Sequence, residues 1–199
     1  MLAANGLLFF KAVTVLGDSA VLFPASIGLA TLLWASGARR SALAFAGALC
    51  FCVGTTIVAK LGFMVCGVQG PDTIYSPSGH ASMSTFFYAS LGFVAATTMR
   101  RAPGWLYALA SLLLIGVIAA SRVALEVHSV KEAALGVLIG GSSFGLFARF
   151  AAPAGAIDSR AGALLVGAPL AAFFIVGATI NIEDPLAAIA AKVAQLTGC

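Results

Sequence analysis

Charge is what this chain has least of: 9% of its 199 residues are Asp, Glu, Lys or Arg, against 61% hydrophobic residues. A water-soluble domain of that length needs far more polar surface, so a soluble fold is excluded. Ten-residue strands with period-2 alternation are missing too, which excludes an outer-membrane barrel. No basic stripe with interleaved aromatics exists, so the net charge of +4 does not mark a nucleic-acid surface. The N-terminus lacks the charged region, short core and small-residue cleavage site of a removable signal peptide, and the first span is expected to act as its own insertion signal. No internal repeat or low-complexity stretch appears, and one domain, residues 1–199, is expected. Histidine is scarce too, with two in the chain.

What remains is a series of long apolar runs separated by short polar breaks, with a mean hydropathy of +1.05. A helix needs about 20 residues to cross roughly 30 Å of hydrocarbon, so this length allows about six crossings. The expected architecture is therefore an all-α integral membrane bundle, with spans at about 20–37, 41–66, 79–99, 105–124, 130–150 and 161–180. Residues 2–16 are interrupted by Asn5, Gly6 and Lys11 and are too short to cross comfortably, which favours a helix lying in the interface. Asp18 and Ser19 offer N-caps for the first span, and Glu183-Asp184-Pro185 opens a mildly amphipathic tail.

Basic residues set orientation. Arg39 with Arg40, Arg100 with Arg101, and Arg149 with Arg160 fall in alternate connections, and Lys/Arg-rich short loops stay cytoplasmic. The loops carrying His80 and His128 then face the other side, outside the cytoplasm, as in a bacterial inner membrane with its site toward the periplasm. Cys50 and Cys52 sit mid-span as small packing residues. Cys66 and Cys199 are expected on the oxidising side, and both thiols are expected to be free because a terminal residue rarely holds the required geometry.

Both histidines lie where an apolar span meets water. Hydrolysing a phosphate ester without a metal requires cations and N–H donors around the oxygens, an in-line nucleophile and an acid for the leaving group. Ser78-Gly79-His80 opens a span, where backbone N–H groups favour an anion and glycine lets the backbone approach. Arg122 offers a planar fork for phosphate oxygens, and Lys60, within a span, a point charge. His128 and Glu132 are four apart and share a helical face, so the carboxylate can hold one imidazole nitrogen and leave the other free to attack. Each residue also has a plainer reading: Ser78 as a helix cap, Ser129 to Glu132 as a capping box, and Arg122 as a snorkelling side chain.

Pro77-Ser78-Gly79-His80 and Ser121-Arg122 with His128 six residues on resemble two of the three signatures of the type 2 phosphatidic acid phosphatase (PAP2) family, across roughly residues 60–140. The resemblance implies a membrane phosphatase that uses a phosphohistidine intermediate and no metal or other cofactor. His128 would be the nucleophile, His80 the general acid, and Lys60, Ser78, Gly79 and Arg122 the phosphate cradle. Two departures are visible: the family's arginine seven residues after the lysine is Gly67 here, followed by Val68, and its aspartate four residues after the nucleophile is Glu132. The family also usually has three spans before the lysine motif, where two and a doubtful helix are counted here. The expected partner is a lipid phosphate of the polyprenyl pyrophosphate, phosphatidate or lipid A type. The alternatives are a lipid phosphotransferase on the same fold and a non-catalytic lipid-binding or transport protein. The sequence specifies no oligomeric state.

Overall fold

The computed structural model describes residues 4–66, 75–98, 103–152 and 183–197. The described residues form helices α1 (Ala4–Thr14), α2 (Ser19–Ala35), α3 (Arg39–Cys66), α4 (Gly79–Thr98), α5 (Gly104–Ala124), α6 (Val130–Phe150) and α7 (Glu183–Thr197), with one 3-10 turn at Val15–Gly17. The expected all-α architecture is observed, and five of the expected spans coincide with α2 to α6 to within about two residues, the usual uncertainty of helix ends. The expected span 161–180 lies outside the described residues. So do Gly67, Val68, Asp72, Arg100, Arg101, Arg160 and Cys199, and the side chains of Cys66, Glu183 and Asp184.

Among the described residues three helices, α3, α5 and α6, are long and apolar enough to cross a membrane, and α1 with α2 makes a fourth if the pair is one span bent by 41° at Asp18. The helix α4 is long enough but less apolar. Its position accounts for this: it packs extensively on α6 and α5, and Ser82, Ser84, Thr85 and Ser90 are all buried in it. A helix walled off from lipid by its neighbours can carry hydroxyls that a lipid-facing helix cannot. The outward faces of the others are apolar, with Ile27, Leu43, Val58, Leu112 and Leu138 each exposed.

Two devices set the spacing of the central helices. Gly136 and Gly140, one turn apart on α6, face α4 so closely that a methyl at Gly136 would come within 2.5 Å of the Ser78 carbonyl, and one at Gly140 would meet the Ser82 carbonyl and the Phe86 amide. Phe45 of α3 stacks on Phe86 of α4 at 5.0 Å and meets Phe147 of α6 edge-on at 5.5 Å. These rings and glycines join three helices at one level and leave little freedom for sliding.

Arg39, Arg40 and Arg149 gather at one end. Arg40 donates to the Phe150 carbonyl at 3.1 Å, Ser41 exchanges hydrogen bonds with Ala152, and Arg149 lies over the Phe150 ring. Lys60 is 20 residues further along α3 than Arg40, about 30 Å at 1.5 Å per residue. Basic cluster and candidate site thus occupy opposite ends of the helix.

Candidate active site

The site is assembled from helix ends. On α3 the residues Phe45, Ala48, Cys52, Thr56 and Lys60 recur every three or four positions, and all are buried. This stripe faces α4: Cys52 donates weakly to the Ser82 carbonyl at 3.7 Å, and Thr56 donates to the Ser82 hydroxyl at 3.0 Å. One turn on, Lys60 reaches the beginning of α4, where its Cε lies 3.7 Å from the position a Gly79 side chain would take. Cys52 is the packing residue its sequence position suggests, whereas Cys50 is exposed.

The start of α4 is held from two directions. Ser78 is fully buried and caps the helix, its hydroxyl accepting from the Ala81 amide at 3.3 Å. Its own amide donates to the Glu132 carbonyl at 3.1 Å. The capping role of Ser78 is therefore realised, and it fixes the direction of the next two residues, Gly79 and His80.

The spacing between Arg122 and His128 has a backbone cause. At the end of α5 the Glu126 amide donates to the Val123 carbonyl and the Val127 amide to the Arg122 carbonyl, the paired bonds that finish a helix with a left-handed residue. That residue is usually glycine, as at Gly37 with φ 83° after α2, but here it is Glu126 with φ 58°. The Arg122 carbonyl also accepts from the His128 amide at 3.2 Å. Arg122 thus holds His128 through its backbone and keeps its guanidinium for other partners.

Glu132 joins the pieces. One carboxylate oxygen accepts from the Ser129 amide at 2.8 Å and contacts His128 Nδ1 at 3.3 Å. The other accepts from the amides of Tyr75 at 2.8 Å and Ser76 at 3.0 Å. The capping box and the histidine contact, competing readings of the sequence, are both present. The grip on Tyr75 and Ser76 was not anticipated, because no local spacing reveals a bond spanning 57 residues.

Electrostatically the groups converge. Arg122, His128 and Lys60 all act on His80, and Arg122 and Lys60 act on His128. Burial, and next the Arg122 guanidinium, hold the His128 imidazole below the usual histidine range, with Glu132 pulling the other way. The neutral imidazole is therefore favoured, and its Nδ1 is turned to the carboxylate. All seven residues singled out in the sequence, Lys60, Ser78, Gly79, His80, Arg122, His128 and Glu132, meet at this end of the bundle.

Two neighbours were missed. Arg122 Nη1 donates to the Thr14 hydroxyl at 2.9 Å, and Asp18 Oδ2 lies 3.8 Å from His80 Nε2. Asp18 caps α2 through its other oxygen, which accepts from the Ala20 amide at 2.8 Å, as its sequence context predicts. The available signal was a lone carboxylate between two apolar segments, where a cap alone explains its presence.

Comparison with known proteins gives one result: the family model described as the PAP2 superfamily matches residues 41–155, more than half of the chain. No curated protein and no solved structure matches. The matched segment contains all seven residues above and excludes Thr14 and Asp18. Members of that superfamily are generally phosphatases, associated with membranes and acting on phosphate-bearing, lipid-like substrates. With the motif residues gathered at one end of a helical bundle and more than half its length matched, this chain belongs to the PAP2 superfamily.

Proposed function

We propose that the protein hydrolyses the phosphate monoester or pyrophosphate head of an amphiphilic lipid, through a phosphohistidine on His128, at the extracytoplasmic face of the membrane. The observation that carries this is the His128–Glu132 pair, in which a carboxylate saturated by backbone amides orients a neutral imidazole beside Arg122 and Lys60. In the first step the Nε2 lone pair attacks phosphorus, and the bond from phosphorus to the leaving oxygen breaks as His80 gives that oxygen a proton. Water then attacks the phosphohistidine, His80 takes the proton back, and the P–N bond breaks to release phosphate. Lys60, Arg122 and the amides at the start of α4 offset the charge developing on the equatorial oxygens.

The orientation rests on Arg39, Arg40 and Arg149 gathering at the end of the bundle away from Lys60. In a variant without native cysteines, a cysteine at Arg40 should resist an impermeant thiol reagent in intact cells, and one at Asp72 should react. The reverse pattern would turn the site to the cytoplasm.

The activity is tested by phosphate release from purified protein given polyprenyl pyrophosphate, phosphatidate and lipid A phosphates in the presence of EDTA. Release that disappears in His128→Ala, with acid-labile phosphorylation trapped on His128 in the native chain, is the expected result. Full release by His128→Ala would refute the mechanism. A new phosphate ester in place of free phosphate would make the protein a transferase.

A further inference from the structure

Residues 14–18, the break between α1 and α2, lie outside the segment that the family model matches, yet they contact the site. Three ties hold them there. Thr14 accepts from Arg122 at 2.9 Å, the Leu16 carbonyl accepts from the Tyr88 hydroxyl of α4 at 2.9 Å, and Gly17 abuts His80 and Ile118. A methyl at Gly17 would lie 2.8 Å from Ile118 Cγ2 and 3.4 Å from His80 Cδ2, so the backbone of the break runs along the flank of the imidazole. The next residue is Asp18, whose carboxylate is fixed by its capping bond to Ala20 and turns its second oxygen to His80 Nε2.

We infer that Asp18 is a positioning residue for the proposed acid–base catalyst His80, reached from the N-terminal helix break and acting by holding the Nε2 proton while Nδ1 serves the leaving oxygen. The inference rests on the proposed role of His80. A general acid must carry a proton, and His80 has to do so among cations: Arg122 at the end of α5, Lys60 on α3, and His128 whenever it is charged. The Asp18 carboxylate, 3.8 Å from Nε2, supplies the opposing charge. The two imidazoles then match in design and differ in the nitrogen used: Glu132 holds Nδ1 of His128 and frees Nε2, whereas Asp18 faces Nε2 of His80 and frees Nδ1. The 3.8 Å separation is that of an ion pair and longer than a hydrogen bond; such contacts tighten when substrate arrives.

The test uses Asp18→Asn in the full chain, because Asn caps a helix as well as Asp does and removes only the charge. Two substrates with the same phosphoryl group are compared, p-nitrophenyl phosphate, whose phenolate leaves unaided, and dodecyl phosphate, whose alkoxide needs a proton. Asp18→Asn should lower kcat/KM for dodecyl phosphate about tenfold or more and for p-nitrophenyl phosphate less than about threefold. Equal losses on both, or none on either, would overturn the inference.

A second measurement does not depend on turnover and separates failure of this inference from failure of the proposed function. In ¹⁵N-histidine-labelled His128→Gln protein, His80 is the sole imidazole, and its ring shifts report which nitrogen carries the proton at a pH where it is neutral. Protonation at Nε2, redistributing toward Nδ1 in Asp18→Ser, is expected even if no phosphate ester is cleaved. A tautomer indifferent to Asp18 would refute the contact.

Discussion

Replacing Glu132 by glutamine tests most of the site with one atom. The carboxylate receives four contacts: the amides of Tyr75 and Ser76 on one oxygen, and the Ser129 amide and His128 on the other. An NH₂ group in place of the first oxygen would face two N–H donors. In place of the second it would face one donor and an imidazole that can reverse its tautomer, so the second arrangement is the cheaper. It loses one charge-assisted hydrogen bond, about 1.5–3 kcal/mol, and leaves the Ser129 amide poorly satisfied. The consequence for chemistry is larger. With the amide donating to Nδ1, the proton of His128 moves to Nε2, and the lone pair that would attack phosphorus is gone. By analogy with carboxylate-to-amide changes beside catalytic histidines, turnover should fall on the order of 10³-fold or more. The assay is kcat for phosphate release, alongside thermal unfolding of the same preparation. Glu132→Gln retaining a tenth or more of native turnover would refute the orienting role and leave Glu132 as a cap and loop anchor.

Other perturbations follow from the packing and the charges. Gly140→Ala should destabilise by about 1–3 kcal/mol, since its methyl meets backbone of α4, whereas Gly141→Ala, with nothing within 4 Å, should be neutral or stabilising in thermal unfolding. Glu126→Gly should stabilise by about 0.5–1 kcal/mol by relieving the left-handed conformation at φ 58°, and Glu126→Val should destabilise. Because His128 is held below its ordinary value of 6.5 and must be neutral to attack, the acid limb of kcat/KM should lie below pH 6.5. Arg122→Gln removes a cation that opposes protonation, so that limb should move to higher pH; an unmoved limb would mean that another group governs it.

The helices were legible because apolar runs and turn residues report local requirements. Ser78 and Ser129 begin α4 and α6 where their cap grammar places them, and Glu132 pairs with His128 as a four-residue spacing permits. The burial of the α4 serines was not anticipated, because they are tolerated through enclosure by other helices, a tertiary fact. Residues 2–16 were expected in the interface on length, which says nothing of partners: α1 packs on α5 and, with α2, makes a bent pair that passes the length and apolarity test together. Thr14 and Asp18 were invisible as site neighbours for the same reason: their partners, Arg122 and His80, are 108 and 62 residues away, and Asp18 already had a sufficient local explanation.

The enclosure of α4 has a consequence for how the chain enters the membrane. A helix with four buried hydroxyls and an imidazole at its first turn partitions poorly into lipid alone, yet it is synthesised before α5 and α6, the helices that cover most of it. It gains its protein surroundings only when those two have emerged and Gly136 and Gly140 can close on it. On this packing α4 is expected to leave the translocation channel only once the following hairpin is complete, so that a chain truncated before α6 should fail to integrate α4 in a glycosylation-mapping assay.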